Sequence, residues 1–168
     1  MSSTEVDGNG NPYYINMVGR PDSLAVWVKF SQAKANKKHP YATVSAYITD
    51  GTRFQDPQDK TYRNVMAKAV NNTIATTGGE WKRIVVPFTY VNDSIDGKAI
   101  LVTISTNADP GQGSDGDEII IDDFELIYDA ELTNVTLVGD EVKPELKGKG
   151  AFCVVSYDKN EANENIAT

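Results

Sequence analysis

Hydrophobic and polar residues alternate with a period of two through several short runs of this chain. In Leu24-Ala25-Val26-Trp27-Val28-Lys29-Phe30, the residues Leu24, Val26, Val28 and Phe30 fall on one face and Ala25, Trp27 and Lys29 on the other. Successive side chains of a strand point to opposite faces, so the run predicts a half-buried strand with Trp27 turned outward. Tyr41 to Thr49 repeats the pattern, with Ala42, Val44, Ala46 and Ile48 inward and Thr43, Ser45 and Tyr47 outward. Ile84, Val86 and Phe88 share a face in the run that opens on Trp81, and Ile100, Val102 and Ile104 do so in the next. Pro87 has no N–H to give a ladder, which places it at a strand end, a bulge or an edge. Glu118 to Tyr128 starts as a continuous apolar run and then alternates, predicting Ile120, Phe124, Leu126 and Tyr128 on one face. The pair Asp122-Asp123 stands in the middle of that strand, where carboxylates need a reason.

Turn formers separate these runs: Gly19-Arg20-Pro21-Asp22, Asp50-Gly51, Thr77-Gly78-Gly79-Glu80 and the ten residues from Asn107 to Gly116. Asp56-Pro57 predicts a short helix through Tyr62, with Asp accepting from backbone donors and Pro at the first helical position. Val65 to Val70 could prolong that helix, but Val70, Thr73, Ile74, Thr76 and Thr77 favour extended structure, and we read a strand. Short alternating strands with almost no helical periodicity indicate an all-β antiparallel sandwich and exclude a parallel α/β fold. The expected organisation is an N-terminal segment over 1–18, the sandwich over 19–130, and a C-terminal extension over 131–168. Within the extension, Leu132 to Val138 and Ala151 to Tyr157 read as strands, and Asp158 to Thr168 as a disordered end.

Composition narrows the partners. With 24 acidic and 16 basic residues, the net charge of −8 and pI near 4.6 disfavour nucleic acid and anionic membranes, which clustered Lys and Arg would have to hold. No apolar run approaches the roughly 20 residues of a membrane helix. Cys153 is the only cysteine, so neither an intrachain disulfide nor a cysteine-rich zinc site is expected, and in its apolar run it reads as a small core hydrophobe. The first ten residues carry neither the basic region nor the apolar stretch of a signal peptide.

Three elements in order carry a family resemblance: Gly19-Arg20-Pro21 leading into Leu24 to Phe30, the Trp81 strand ending in Pro87-Phe88 and Tyr90, and Ile121-Asp122-Asp123-Phe124-Glu125-Leu126-Ile127-Tyr128. Over roughly residues 19 to 138 the chain resembles the putative carbohydrate metabolism domain of gut Bacteroidetes. The resemblance implies a jelly-roll β-sandwich on a secreted or cell-surface protein that handles glycans. Family members carry further sequence before the Arg-Pro turn, so the resemblance also points to a truncated N-terminal segment.

Sugar binding needs flat aromatic rings for the apolar face of the sugar and polar groups beside them to fix its orientation. Trp27 and Tyr47, flanked by Lys29, Thr43 and Ser45, are the expected platform, provided their two strands are neighbours. Against this stands the reading of Trp27 as a packing residue under other segments. Trp81 is expected to plug one end of the sandwich. Asp109, Asp115, Asp117, Glu118, Asp122 and Asp123 are oxygen ligands of the kind Ca²⁺ takes, with Asp117, Asp122 and Asp123 the chosen set for a structural ion. The alternative is a solvated acidic loop with one aspartate bonded to backbone. Catalysis is not expected: no pair of carboxylates stands out, His39 reads as a solvated loop residue, and the sequence has no Gly-x-Ser-x-Gly elbow. The expected function is therefore non-catalytic binding of a polysaccharide. A structural or adhesive module is the alternative, and a glycoside hydrolase comes last.

Overall fold

A computed structural model describes residues 2–3, 5–17, 19–128, 131–138, 141–147, 157–159 and 165–167. In chain order the strands are β1 (Ser2–Ser3), β2 (Ile15–Asn16), β3 (Ser23–Ser31), β4 (Ala42–Thr49) and β5 (Gln55–Asp56). There follow β6 (Val65–Ile74), β7 (Lys82–Pro87), β8 (Thr89–Tyr90), β9 (Ala99–Ser105) and β10 (Glu118–Ile127). The extension contributes β11 (Glu131–Val138), β12 (Glu141–Lys147), β13 (Tyr157–Lys159) and β14 (Asn165–Ala167). Every pairing is antiparallel, and the described residues include no helix.

One sheet has the order β2-β9-β4-β6-β8 and the other β10-β3-β7, with β1-β5, β11-β12 and β13-β14 as separate pairs. The chain crosses from one sheet to the other between β2 and β3, β3 and β4, β6 and β7, β7 and β8, and β9 and β10. The crossing from β7 to β8 takes one residue. Pro87 ends β7, and Phe88 donates its N–H to Asp22 O at 2.8 Å as the chain turns into β8. The core lies between the sheets. Leu24, Val26, Val28 and Phe30 of β3 meet Ala42, Val44, Ala46 and Ile48 of β4, with Ala67, Ala69, Val86 and Ile100 beside them. These are the inward faces that alternation predicts, and each large side chain sealed there stabilises the fold by about 1.5–3 kcal/mol. The all-β antiparallel sandwich read from the sequence is the observed architecture.

The N-terminal segment takes part in the sheets: Ile15 pairs with Ile100, and Ser2 and Ser3 pair with Asp56 and Gln55. In the extension, β11 spans the strand expected at 132–138. Where a disordered end is expected, Tyr157–Lys159 pairs with Asn165–Ala167. The strand expected at Ala151 to Tyr157, with Cys153 in it, lies outside the described residues except for Tyr157.

Strand β10 departs from its expected alternation. Asp122 stands opposite Trp27, but the next pairing is Glu125 with Ala25, so β10 holds one more residue than β3 over the same length. The extra residue makes a β-bulge, with Asp123 in the left-handed region at φ 47° and its N–H bonded to Asp122 Oδ1 at 2.9 Å. One inserted residue inverts every later side chain. Ile119 before the bulge and Leu126 after it therefore pack on the core, while Ile120 and Phe124 are 45% and 40% exposed. The two mid-strand aspartates have their reason here, because Asp tolerates the left-handed conformation better than most residues. Asp123→Gly is expected to leave stability unchanged or raise it slightly, and Asp123→Ile to lower it by about 1–2 kcal/mol, read as urea midpoints.

The helix expected from Asp56 to Tyr62 is absent. The cap signal was local, but Asp56 is turned into the protein, only 6% exposed, and accepts the Ser45 hydroxyl at 2.8 Å. Turned inward to Ser45 and Tyr47, the carboxylate is drawn away from the backbone that follows it. Val65–Ile74 is strand, as read.

Candidate functional site: the outer face of the three-stranded sheet

Because Val26, Val28 and Phe30 face the core, Trp27 and Lys29 face away from it, and each brings its cross-strand partners to the same surface. Arg83 of β7 and Asp122 of β10 stand on either side of Trp27. Ile120 stands beside Lys29, and Val85 and Glu125 flank Ala25. Trp81 immediately precedes β7, and Lys29 Nζ lies 4.9 Å from the centre of its ring. Aromatic and cationic side chains thus alternate across two strands, with Trp27 diagonal to Trp81 and Lys29 diagonal to Arg83. Arg83 is bonded to Glu125 across the small Ala25. Around Trp27 the formal charges of Lys29, Arg83, Asp122 and Glu125 cancel.

Trp27 is 37% exposed and Trp81 39%. The sequence expectation for Trp27 therefore holds as to its direction. Trp81 differs from expectation: it does not plug the sandwich but presents its ring at the surface under the Lys29 ammonium. Alternation could have found this, since Trp81, Arg83 and Val85 are the odd positions of a run whose even positions, Ile84 and Val86, are apolar and inward.

Tyr47 does not join Trp27. β3 and β4 belong to different sheets, so the two outward faces lie on opposite sides of the sandwich, and the expected pairing of an indole and a phenol on neighbouring strands is not formed. Tyr47 is 6% exposed and Ser45 4%. The segment between β4 and β6 folds over them, placing Phe54 and Tyr62 at ring-centre distances of 4.8 and 6.2 Å from Tyr47. Phe54, Val65 and Leu101 complete this second, smaller cluster. Asp56 lies beneath it, taking the Ser45 hydroxyl and hydrogen-bonding Tyr47. Thr43 remains half-buried, with its hydroxyl on Asn72 Oδ1 at 2.5 Å. The structure thus keeps Thr43, Ser45 and Tyr47 together, and Trp27 and Lys29 together, on two separate faces.

Burial pushes the Tyr47 phenol upward, reinforced by the neighbouring Asp56 carboxylate. Tyr90 is pushed up to about 12 by burial, against the opposing pull of the Arg20 guanidinium. Both phenols hold their protons more tightly folded than unfolded. Their contribution is complete below the ordinary tyrosine value of about 10 and is lost as pH rises through the folded value. Urea midpoints are therefore expected to fall between pH 10 and 12, and Tyr47→Phe to flatten that fall.

The aspartates chosen for a metal do not converge. Asp117 accepts the Ala33 N–H on Oδ1 and the Ser114 N–H on Oδ2, both at 2.9 Å, pinning the 106–117 loop to the loop after β3. Asp122 lies on the outer face beside Trp27, and Asp123 forms the bulge. Among the described residues no three His, Cys, Asp or Glu side chains are grouped to hold an ion. His39 pairs through Nδ1 with Asp109 Oδ2 at 2.6 Å, a second tie between the same two loops.

Two solved structures share this fold. Both are putative glycoside hydrolases, one from Bacteroides thetaiotaomicron and one from Bacteroides vulgatus. The first superposes with a TM-score of 0.58 at 18% identity, over 73% of this chain and 42% of its own. The second superposes with a TM-score of 0.50 at 21% identity, over 73% of this chain and 61% of its own. The chain thus spans about half the length of the structures it matches. No family model and no curated protein matches it. At these identities the likeness is one of fold.

Proposed function

We propose that this chain is a non-catalytic glycan-binding module of jelly-roll type, on a secreted or cell-surface protein, that holds its ligand on the outer face of the three-stranded sheet. The observation that carries this reading is the pair of half-exposed indoles, Trp27 and Trp81, set on a sheet face with charged side chains interleaved between them. A sugar ring stacks its C–H face on an indole, and the carboxylate of Asp122 and the cations of Lys29 and Arg83 supply acceptors and donors for its hydroxyls. The cancelling charges favour a neutral polysaccharide over an acidic one. The names of the two structural neighbours agree with a carbohydrate role for proteins of this fold. On this face Glu125 is held by Arg83, which makes it a poor acid or base for hydrolysis.

A panel of soluble neutral and acidic polysaccharides, screened by affinity electrophoresis and followed by tryptophan fluorescence, tests the proposal. Retardation by at least one neutral polymer with a change in indole emission is the expected result. Silence across the panel would sink it. An adhesive role is the second reading, supported by β10 standing at the margin of its sheet with Ile120, Ile121 and Phe124 exposed.

A further inference from the structure

The Gly19-Arg20-Pro21 turn is absorbed by neither sheet face, and it borders a cavity. The cavity, of about 370 Å³, lies between this turn and the loop joining β8 to β9, and is lined by Arg20, Met66, Asp93, Ser94, Ile95 and Asp96. That volume is at the small end of the roughly 300–1,000 Å³ typical of ligand pockets, enough for one or two sugar rings.

Its walls are fixed. The loop is tied at one end by the N–H groups of Val91 and Asn92 on Met66 O, at 2.8 and 3.2 Å. At the other end the Lys98 N–H bonds Thr49 O at 2.8 Å. Gly97 presses the loop onto the core, since a Cβ there would come within 2.6 Å of Met66 Cε and 2.7 Å of Ile48 Cγ2. Arg20 is held from the other side, its guanidinium 4.3 Å from the Tyr90 ring centre while the Tyr90 hydroxyl donates to Pro21 O at 2.7 Å.

The chemistry on these walls is mixed. Arg20 pairs with the exposed Asp93, and its Nε is buried with no hydrogen-bond partner among the described residues. An unmatched buried donor is uncommon, and Arg20 is one of the residues that line the cavity. Met66 and Ile95 supply apolar surface, and Ser94 a hydroxyl. Arg20 is paired with Asp93 and Lys98 with Asp96, so the rim carries no net formal charge and offers an anion no net attraction.

We infer that this cavity is a second saccharide site, taking one neutral hexose or pentose unit whose adjacent hydroxyls bridge Arg20 and Asp93. It shares its ligand class with the sheet-face platform but rests on other residues. Trp27 lies four positions into β3 from Ser23, about 13 Å at the strand rise, and Arg20 lies in the turn before that, so one sugar unit does not span both.

Saturation-transfer NMR on the full chain, with glucose, galactose, mannose and xylose each at millimolar concentration, tests this. Transfer to at least one sugar is expected. It should persist in Trp27→Ala, and in that background fall about tenfold or more on adding Ser94→Trp, which fills the cavity from an exposed position, or Asp93→Asn, which preserves shape. No transfer to any of the four, or transfer unchanged when Ser94→Trp is added to Trp27→Ala, would overturn the site. So would movement of the Ser94 and Gly97 amides with calcium chloride alone, which would make it a cation site. Transfer lost only in Trp27→Ala would overturn the cavity and leave the platform standing.

Discussion

Trp27→Ala is expected to weaken polysaccharide binding about thirtyfold or more, the loss of roughly 2 kcal/mol that follows removal of a central aromatic anchor. The same change should lower stability by no more than about 1–2 kcal/mol, because the ring lies on an outer face and leaves the core intact. Trp81→Ala should weaken binding by a smaller factor, since its ring already carries the Lys29 ammonium. Trp27→Phe should recover part of the loss by restoring a flat face. Isothermal titration of the four proteins against one retained polymer measures all of this. Equal affinity across them would show that the ligand sits elsewhere.

The other large effect belongs to the opposite face. Asp56→Ala removes the acceptor for the Ser45 hydroxyl and for Tyr47 inside a covered cluster. The buried Ser45 hydroxyl loses its acceptor, Tyr47 keeps only its hydrogen bond with Tyr62, and a small void is left among buried groups. The expected cost is about 3–5 kcal/mol, because an unmatched buried donor alone costs about 1–3. Asp56→Asn retains an acceptor and should cost about 1–2 kcal/mol. Urea denaturation gives both values. At temperatures where Asp56→Asn remains folded, its glycan affinity should equal that of the parent protein. A selective loss of affinity would return Ser45 and Tyr47 to the binding site.

Much of the fold was legible because alternation is a physical consequence of the extended chain. Val26 and Val28, Val44 and Ala46, and Ile100 and Val102 all face the core as that rule requires. Alternation says nothing of which sheet a strand joins. β3 and β4 carry the same pattern and follow one another, yet the chain between them crosses the core, which separated Trp27 from Tyr47. A rule of period two also fails silently at an insertion, as in β10, where the Asp122-Asp123 pair was the only local sign of a bulge. The helix expected after Asp56 failed for a different reason: a capping signal is local, and a hydroxyl from β4 claimed the carboxylate. Trp81 was misjudged by its position after a Gly-Gly turn, although its place in the Trp81, Arg83, Val85 series pointed outward. Arg20 gave no sign of a cavity, because the loop that encloses it lies more than seventy residues further along the chain.

The chain has two tryptophans, so its ¹H–¹⁵N spectrum holds two indole N–H signals, one for each proposed platform ring. Following both while a retained neutral polysaccharide is titrated in tests the central claim most directly. The platform predicts that both signals move in step with the binding isotherm, together with the backbone amides of Lys29, Arg83 and Asp122. Saturable binding that leaves both indole signals in place would contradict it.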